Sequence, residues 1–248
     1  MTEKQPKAVV IGVGPVEGLG GALARRFAAA GRHVLVAGRT PERLDRVVAG
    51  IREAGGSAEA VRTDASIEAD VIALLDAAIR DDEYGSPADL IAFNAGNNRP
   101  TPLLDLTAAD FEAFWRMNTL GGFLVAREAA RRLAPLGRGS VLFTGASGSL
   151  RGSVGFAHFA ASKAGLRMVA QSMAREFGPK GIHVAHVIVD GGIEGERLRT
   201  FFPEFVERKG ADGMLNIDAM AETYWQLHLQ HSSAWTHELD LRPFKESF

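Results

Sequence analysis

Short apolar runs alternate with longer amphipathic stretches along almost the whole chain, and this alternation limits the possible folds more than any other feature. The runs that predict strands lie at 8–11, 33–37, 58–61, 90–93, 140–143 and 183–188, and the patterns that predict helices lie at 18–31, 41–54, 107–134 and 157–178. A strand that is apolar throughout is buried on both faces, which is typical of a parallel sheet between two layers of helices. The sequence therefore predicts an α/β fold with a doubly wound parallel sheet, and a further alternation at 238–241 predicts an edge strand.

No proline-, glycine- or serine-rich linker and no shift in composition divides the chain. Its 248 residues could form two domains on length alone, but α/β folds often reach this size as one unit. Hydrophobic residues make up 46% of the sequence, which is ample for a buried core. We therefore expect a single domain over 1–248.

Composition excludes several classes of function. The formal net charge is -2, so no basic field predicts a nucleic-acid partner or an anionic membrane surface. The chain has no cysteine, which excludes disulfides and thiolate metal ligands and fits a reducing cytoplasm. No apolar run approaches the roughly 20 residues that span a bilayer, and the N-terminus lacks the apolar core of a signal peptide. No His-Glu-x-x-His motif or carboxylate cluster at ligand spacing is present, so no metal site is predicted. The expectation is a cytoplasmic protein without a membrane or nucleic-acid partner.

A glycine-rich loop lies between the first predicted strand and the first predicted helix. It reads Gly-x-x-x-Gly-x-Gly at Gly14, Gly18 and Gly20. Glycines let the backbone turn tightly and approach a pyrophosphate, and the free N–H groups at the start of a helix attract its negative charge. The Gly-x-Gly-x-x-Gly spacing fails when counted from Gly12, because Glu17 occupies its third glycine position. With its flanking strand and helix, the loop favours dinucleotide binding in a Rossmann-like fold over a plain turn.

Two further segments complete a resemblance to a known family. The triplet Asn-Ala-Gly at 94–96 follows the fourth predicted strand, and Lys163 lies four residues after Phe159 on the same face of a helix. Together with the glycine loop, they resemble the short-chain dehydrogenase/reductase family over roughly residues 7–245. The resemblance implies an NAD(P)-dependent oxidoreductase that acts on a small-molecule carbonyl, alcohol or imine and assembles as a homodimer or homotetramer.

The same resemblance implies which residues bind the cofactor. They are Gly14, Val16, Glu17, Gly18, Leu19, Gly20, Arg39, Asp64, Ala65, Asn94, Ala95, Gly96, Lys163, Gly191 and Ile193. In the family, the residue that Asp64 matches hydrogen-bonds the adenine ring, and the triplet at 94–96 packs against the adenosine ribose. Ile193 would offer its backbone to the carboxamide of the nicotinamide.

The end of the second predicted strand distinguishes the two nicotinamide cofactors. An Asp or Glu at this position would bind the adenosine ribose hydroxyls and repel a 2′-phosphate. This chain has Arg39, whose guanidinium matches phosphate geometry, although Glu42 lies nearby. A solvated arginine at a strand end is the alternative interpretation. The sequence favours NADP(H) over NAD(H).

Four catalytic positions of the family can be matched one by one. Asn118 would hold a water of the proton relay, and Lys163 would bind the nicotinamide ribose hydroxyls. Phe159 occupies the position of the family's tyrosine and has no hydroxyl, while Ala146, thirteen residues earlier, occupies the position of its serine. A shift of one residue at the strand end could present Ser147 instead. The two substituted positions are those that contact the substrate in the family.

Two hypotheses follow for the function. The first is an NADP-dependent oxidoreductase with a non-standard active site, and the second is a catalytically silent NADP-binding protein that senses cofactor or serves as a scaffold. Asn118 and Lys163 favour residual or altered catalysis, although Lys163 alone could persist for cofactor binding. His158 is a conceivable replacement proton donor, but on a helix it points about 100° away from Phe159, which favours a packing role. Cofactor-free lyase or dehalogenase chemistry is disfavoured, because the chain keeps the glycine loop and loses the serine and tyrosine.

The C-terminal third carries further expectations. Residues 194–216 resemble the mobile substrate lid of the family. Its apolar side chains either line a substrate pocket or pack the lid itself; they are Phe201, Phe202, Phe205, Met214 and Leu215. Asp190, just before the lid, could engage substrate or serve as a turn residue. We expect Trp225 and Trp235 at a subunit interface, and a solvated or interface face rather than a metal site around His228 and His231.

Overall fold

A computed structural model describes residues 4–246, and a parallel seven-stranded sheet lies at its centre. The nine strands are β1 (Pro6–Ile11), β2 (His33–Gly38), β3 (Ser57–Arg62), β4 (Ser86–Phe93), β5 (Gly139–Thr144), β6 (Ile182–Val189), β7 (Ile193–Glu194), β8 (Leu215–Asn216) and β9 (Glu238–Leu241). The sheet order is β3-β2-β1-β4-β5-β6-β9, and β7 and β8 form a separate short parallel pair. Every neighbouring pair of the large sheet is parallel, including the pair of β6 with the edge strand β9.

Helices cover both faces of the sheet. They are α1 (Leu19–Ala29), α2 (Pro41–Glu53), α3 (Glu68–Ala78), α4 (Ala108–Trp115), α5 (Gly121–Leu133), α6 (Ala157–Phe177), α7 (Glu196–Phe201), α8 (Pro203–Lys209) and α9 (Ile217–His228). A π-helical turn at Arg116–Leu120 joins α4 to α5. Among the described residues 4–246, no helix combines the length and the hydropathy that crossing a bilayer requires.

Successive side chains of the inner strands enter two different cores. In β1, Ala8 and Val10 pack with α1, α2 and α9, whereas Val9 and Ile11 pack with α3, α5 and α6. Neighbouring side chains of a strand point to opposite faces, so a strand between two helical layers must be apolar at every position. This packing explains the uninterrupted apolar runs and confirms the predicted fold class, a doubly wound parallel sheet with helices on both faces.

Some elements differ from the sequence predictions. The helix α3 was not predicted, and the single helical pattern at 107–134 is divided by the π-helical turn. Trp225 was expected at an interface but is only 8% exposed, because it packs in the core beside Phe27. His228 was expected on a solvated or interface face, yet its side chain is 9% exposed. Residues 1–3 and 247–248 of the expected domain lie outside the described residues.

The strand order places a crevice at the carboxyl edge of the sheet. From β1 the chain proceeds outward through β2 to β3, and then returns to β4 on the other side of β1. The loops that follow β1 and β4 therefore diverge at this edge, which is the topological switch point where open α/β sheets bind ligands. The predicted site residues lie in the loops, the helices or the short strand β7 that follow this edge.

Candidate active site

The loop between β1 and α1 is fixed by close backbone contacts. Gly12 has a φ of +88°, and a Cβ at this position would lie 2.3 Å from the backbone N of Ala95. The backbone N–H groups of Gly12 and Val13 both donate to the carbonyl of Ala37, at 2.9 Å each. Around Gly14, in contrast, no atom lies within 4 Å of an added Cβ. The loop is thus rigid on its sheet side and open where a phosphate would approach.

The start of α1 faces this open side. Gly18 is the residue before the helix, its side chain cannot cap, and Leu19 begins the helix and is buried. Gly20 allows close packing, because a Cβ there would lie 3.0 Å from the Cα of Val13. The carbonyl of Val16 accepts a hydrogen bond from Arg25 at 2.7 Å, which fixes the middle of the loop. The first N–H groups of α1 have no side-chain cap, so they can bind an anion.

The ends of β2 and β3 form a positively charged corner. Arg39 follows β2 directly and is exposed, and Gly38 pairs with Arg62 at the end of β3. Asp64 accepts hydrogen bonds from the N–H and Oγ of Ser66, at 2.9 and 2.7 Å. Burial raises the pKa of Asp64, but the Ser66 hydrogen bonds and the charges of Arg39 and Arg62 outweigh it and hold that pKa below its usual value. The sequence analysis did not include Arg62 among the cofactor-binding residues. Its position at the end of the predicted third strand, beside the end of the second, could have indicated this role.

Behind this corner, Ala65 lies buried under the helix α5. A Cβ at Gly121, the first residue of α5, would lie 3.1 Å from the carbonyl oxygen of Ala65. The segment after β4 closes the other side of the crevice: the N–H of Asn94 donates to the carbonyl of Ile11 at 2.8 Å. The floor of the predicted nucleotide site is therefore a continuous layer of packed backbone.

Gly96 brings this segment against Asn118 and Lys163, the two residues that the sequence predicts as catalytic. A Cβ at Gly96 would lie 3.0 Å from Oδ1 of Asn118 and 3.0 Å from Nζ of Lys163. Both side chains therefore converge on the same point, although their residues are far apart in the chain. Only glycine lets the backbone approach them this closely.

Lys163 is almost completely buried. Its side chain lies in α6 with 4% of its surface exposed, and Nζ donates a hydrogen bond to the carbonyl of Thr144 at 2.8 Å. Burial disfavours the charged ammonium and lowers its pKa to about 7. A lysine in this state can both donate hydrogen bonds and exchange a proton near neutral pH.

Asn118 lies in the π-helical turn and is fully buried. Its Nδ2 group donates to the carbonyl of Phe114 at 3.1 Å and to Oγ of Ser162 at 3.2 Å. Its Oδ1 has no hydrogen-bond partner among the residues that the structure describes. A buried oxygen without a partner is costly, so this atom is suited to accept from a ligand or a water.

The substituted positions present an apolar surface. Phe159 lies one turn before Lys163 in α6 and is partly buried, and a Cβ at Gly148 would lie 3.1 Å from two carbons of its ring. Ala146 is 9% exposed. Ser147 begins a short 3-10 turn and is partly buried, whereas Oγ of Ser149, at the end of that turn, accepts from the N–H of Ala146 at 3.1 Å. The serine whose Oγ bonds the backbone of position 146 is thus Ser149.

Two other polar side chains near the site have structural partners. Nε2 of His158 lies 3.0 Å from the carbonyl oxygen of Arg99, and its ring meets Phe114 edge-on, which agrees with the packing role. Asp190 is 7% exposed and is ion-paired with Arg151 at 3.3 Å and with Arg242. These pairs favour a structural role for Asp190 over contact with substrate.

The segment 194–216, which the sequence predicts as a lid, contacts both walls of the crevice. The N–H of Glu196 donates to the carbonyl of Glu17 at 2.8 Å, and Arg199 in α7 pairs with the Glu17 carboxylate at 2.6 Å. Arg197 donates to the carbonyl of Asn98 on the opposite wall. The helix α7 therefore spans the crevice between the glycine loop and the segment after β4.

The side chains of the lid divide between packing and exposure. Met214 and Leu215 are buried and pack the lid, whereas Phe201 is 70% exposed. Ile193 in β7 is partly buried against the core. Gly191 has a φ of +147° and lies against Pro243, to whose Cδ an added Cβ would approach within 2.8 Å.

Comparisons with known proteins agree with this geometry. The model of the short chain dehydrogenase family matches residues 7–202. The chain is 30% identical over 202 residues to the 7alpha-hydroxysteroid dehydrogenase of Escherichia coli (strain K12), covering 82% of this chain and 76% of that protein. It is 33% identical over 188 residues to the cis-4-hydroxycyclohexanecarboxylate dehydrogenase of Sinomonas cyclohexanicum, covering 74% and 73% of the two chains. Among solved structures, a short-chain dehydrogenase from Rhodopseudomonas palustris is 40% identical with a TM-score of 0.80, covering 96% of this chain and 99% of that one.

Proposed function

The chain belongs to the short chain dehydrogenase family, and from this premise we propose that it binds NADP(H) in preference to NAD(H) and works with a non-standard active site. It is an NAD(P)-dependent oxidoreductase of the class that acts on CH–OH and C=O groups. The expected single domain over 1–248, with residues 194–216 as its substrate lid, belongs to the same proposal.

The convergence of Lys163, Asn118 and Gly96 at the carboxyl edge carries this proposal. The open side of Gly14, the uncapped start of α1 and the unpartnered Oδ1 of Asn118 fit a dinucleotide along the crevice. Lys163 would bind the nicotinamide ribose hydroxyls, and Asn118 would hold a water beside it. When bound, NADP(H) supplies or accepts the hydride.

The preference for NADP(H) is supported by charge at the end of β2. Arg39 is exposed there, and Arg62 lies at the end of the neighbouring strand. Two guanidinium groups can bind a phosphate with several charge-assisted hydrogen bonds. The ionised carboxylate of Asp64 interacts with both arginines and offsets part of their charge, so these three residues together leave an excess of positive charge at the corner.

We propose a small carbonyl, alcohol or imine with an apolar body as the substrate. Phe159 and Ala146 place apolar surface where the substrate oxygen would otherwise meet hydroxyls. The names of the two curated relatives describe alcohols on saturated rings, a hydroxysteroid and a hydroxycyclohexanecarboxylate. Cyclic alcohols and ketones are therefore the first probes for this chain.

A second candidate function is a catalytically silent NADP-binding protein that senses cofactor or serves as a scaffold. The observation that favours it is the absence of hydroxyls at Phe159 and Ala146. A positioned general acid contributes roughly 10²–10⁴-fold to rate, so turnover by the family mechanism would be strongly reduced. In this function Lys163 would serve cofactor binding only.

A homodimer or homotetramer is part of the proposal. The exposed face of α5 and α6 forms an apolar groove in which Phe123 is 43% exposed and Met168 is 49% exposed. Arg127, Arg131 and Glu176 line the same groove and could form ion pairs with a second copy.

The cysteine-free composition supports a cytoplasmic location.

Calorimetric titration of the purified protein with NADPH and NADH tests the function. We expect NADPH to bind more tightly, followed by turnover when a panel of cyclic ketones, alkenes and imines is added. Tight NADPH binding without turnover on any of these classes would favour the sensor or scaffold. Failure to bind either nucleotide would overturn both functions.

A further inference from the structure

A buried series of hydrogen bonds runs from the turn after β5 to the edge strand β9. Oγ of Ser149 lies 3.4 Å from Nε2 of His186, and Nδ1 of His186 lies 2.9 Å from Oε2 of Glu238. The Glu238 carboxylate accepts two hydrogen bonds from Arg167 of α6, each of 2.7 Å. Ser149 and His186 are 5% and 0% exposed, so the contact between these two side chains is shielded from solvent.

The partners fix the direction of each hydrogen bond. The hydrogen bond from Arg167 lowers the pKa of Glu238, so its carboxylate is ionised and must accept from Nδ1–H of His186. The tautomer that results has its lone pair on Nε2, directed at Ser149. Because Oγ of Ser149 already accepts from the N–H of Ala146, its own proton is free to point at Nε2. A hydroxyl, a base and an orienting carboxylate in this order form a proton-accepting unit.

This unit lies beside the retained part of the active site. The ring of His186 packs against the backbone of Gly145, because a Cβ added to Gly145 would lie 2.2 Å from Nε2 of His186. Lys163 binds the carbonyl of Thr144, the residue just before Gly145. Ser149 thus brings a hydroxyl against position 146, where the family has a serine and this chain has alanine.

We propose that Ser149 and His186 provide the proton route that Phe159 cannot, with Ser149 as the hydroxyl that meets the substrate oxygen and His186 as the positioning and relay residue held by Glu238. The proposal rests on the oxidoreductase function above. It adds a residue set that the family pattern does not contain and that the sequence alone did not reveal.

The steps balance as an alcohol oxidation. The substrate O–H bond breaks, its proton passes to Oγ of Ser149, and the Ser149 proton passes to Nε2 of His186. The hydride leaves the substrate carbon for NADP⁺, so the alcohol is oxidised and the cofactor is reduced. The imidazolium of His186, paired with Glu238, then releases the proton through that carboxylate, whose side chain is 22% exposed to solvent. Carbonyl reduction reverses each step.

The charges around His186 set the pH range of the route. Burial lowers its pKa, Glu238 of β9 raises it, and Lys163 and Arg167 of α6 lower it, to about 4 in total. His186 is therefore neutral and able to accept a proton through the neutral range. We expect alcohol oxidation to lose rate as the pH falls toward 4, and carbonyl reduction, which needs the imidazolium, to gain rate over the same range.

Nitrogen NMR of the histidine side chains tests the arrangement without substrate. We expect His186 as the neutral Nδ1–H tautomer at pH 7, and a changed tautomer balance in Glu238→Gln. A His186 protonated on Nε2 in the wild-type protein would overturn the relay, because Nε2 could not then accept from Ser149.

Oxidation of cyclohexanol with NADP⁺ then tests the route in two backgrounds. In the wild-type background, Ser149→Ala and His186→Gln should each lower kcat by about 10²-fold while leaving KM for NADP⁺ within about threefold. In a Phe159→Tyr/Ala146→Ser background, the same substitutions should lower kcat by less than about tenfold, because the phenol supplies another route. His183→Gln, a buried histidine on the same strand with Nε2 on the carbonyl of Thr236, is the matched control and should leave kcat within about threefold.

The outcomes separate the relay from the function on which it rests. If Ser149→Ala and His186→Gln lower kcat equally in both backgrounds, the loss comes from damaged packing. If they leave kcat unchanged in the wild-type background, the proton has another source. Either result overturns the relay but not the oxidoreductase function. Bound NADP⁺ without turnover on any cyclic alcohol, together with bound NADPH without turnover on any ketone, alkene or imine, would overturn the relay and the enzymatic function together.

Discussion

The cofactor half and the substrate half of this site are built from different parts of the chain. The cofactor half consists mainly of backbone, since Gly12, Gly14 and Gly96 let three segments approach one another or a ligand closely. The substrate half depends on single side chains, and two of its positions are Phe159 and Ala146. A backbone surface is shared among many residues, whereas one substitution removes a hydroxyl completely. A single substitution therefore changes the second half more than the first.

The two halves also differ in their electrostatics. The cofactor half carries cations at its rim, with Arg39 and Arg62 at the strand ends. The ionisable groups of the substrate half are buried. Burial lowers the pKa of Lys163 to about 7 and contributes most to lowering that of His186 to about 4. A rim of exposed cations attracts a phosphorylated ligand, and buried groups with shifted pKa values are suited to proton transfer.

Restoring the family residues in the substrate half would have the largest effect. Phe159→Tyr combined with Ala146→Ser adds a donor one turn before Lys163. We expect kcat for reduction of a cyclic ketone to rise by up to roughly 10²-fold, because the Ser149–His186 route already supplies about 10²-fold of the roughly 10²–10⁴-fold that a general acid contributes. NADPH affinity should stay within about threefold, because neither residue lines the nucleotide crevice. Steady-state kinetics with calorimetry checks both quantities, and an unchanged kcat would mean that the pocket no longer places a carbonyl near these positions.

A change in the backbone of the cofactor half should have the second-largest effect. Gly12→Ala forces a side chain into a φ of +88° and to 2.3 Å from Ala95, so we expect a loss of about 3 kcal/mol or more in the free energy of unfolding. Gly14→Ala is the matched control, since an added Cβ there meets no atom within 4 Å. It should retain its stability in urea denaturation but bind NADPH roughly tenfold more weakly, because the methyl would lie on the phosphate side. Equal stability of the two variants would contradict this division of the loop.

Arg39→Asp tests the cation rim. The substitution removes a phosphate ligand and adds a ribose-binding carboxylate, so we expect NADPH affinity to fall by about 10–100-fold and NADH affinity to rise. Arg46→Asp, at an exposed arginine of α2, the helix that follows Arg39, makes the same charge change and should alter the ratio of the two affinities by less than about threefold. If both variants shift the ratio equally, the preference comes from general charge rather than from Arg39.

The smallest effect concerns the buried lysine. Its pKa is lowered in the folded protein to about 7 from the ordinary lysine value of 10.5, so the unfolded chain binds more protons between these pH values. The burial cost is complete below pH 7 and is relieved as the pH rises, and wild-type stability should therefore gain roughly 1 kcal/mol per pH unit relative to Lys163→Met. Urea denaturation at pH 7, 8 and 9 measures this slope, and parallel curves for the two proteins would contradict a buried, pH-sensitive Lys163.

The fold was largely readable from the sequence because burial on both faces leaves a strong pattern. The runs at 8–11, 33–37 and 90–93 each match an observed inner strand. The helix α3 escaped notice, since Glu68–Ala78 has apolar residues on most sides and gives little amphipathic contrast. The pair of β7 with β8 was missed as well, because two-residue strands are too short to show an alternation.

The site was only partly readable, for a different physical reason. Sequence spacing relates residues on one helix, such as Phe159 and Lys163, but it cannot show that His186 on β6 meets Glu238 on β9 and Ser149 in a turn. The parallel pairing of β6 with β9 places His186 beside Glu238, and the pairing of β5 with β6 brings the turn that contains Ser149 beside His186. The partners of His186 become visible only in the folded chain.

The central claim is that the intact cofactor half delivers hydride although the substrate half lacks the tyrosine. Incubation of the protein with NADPH deuterated at the hydride-donating carbon and a panel of cyclic ketones, with mass spectrometry of the product alcohols, tests it most directly. The account predicts one deuterium on the carbinol carbon of at least one product and none in a Lys163→Met control. NADPH that binds tightly yet transfers no deuterium to any ketone, alkene or imine would contradict it and leave a nucleotide-binding protein without catalysis.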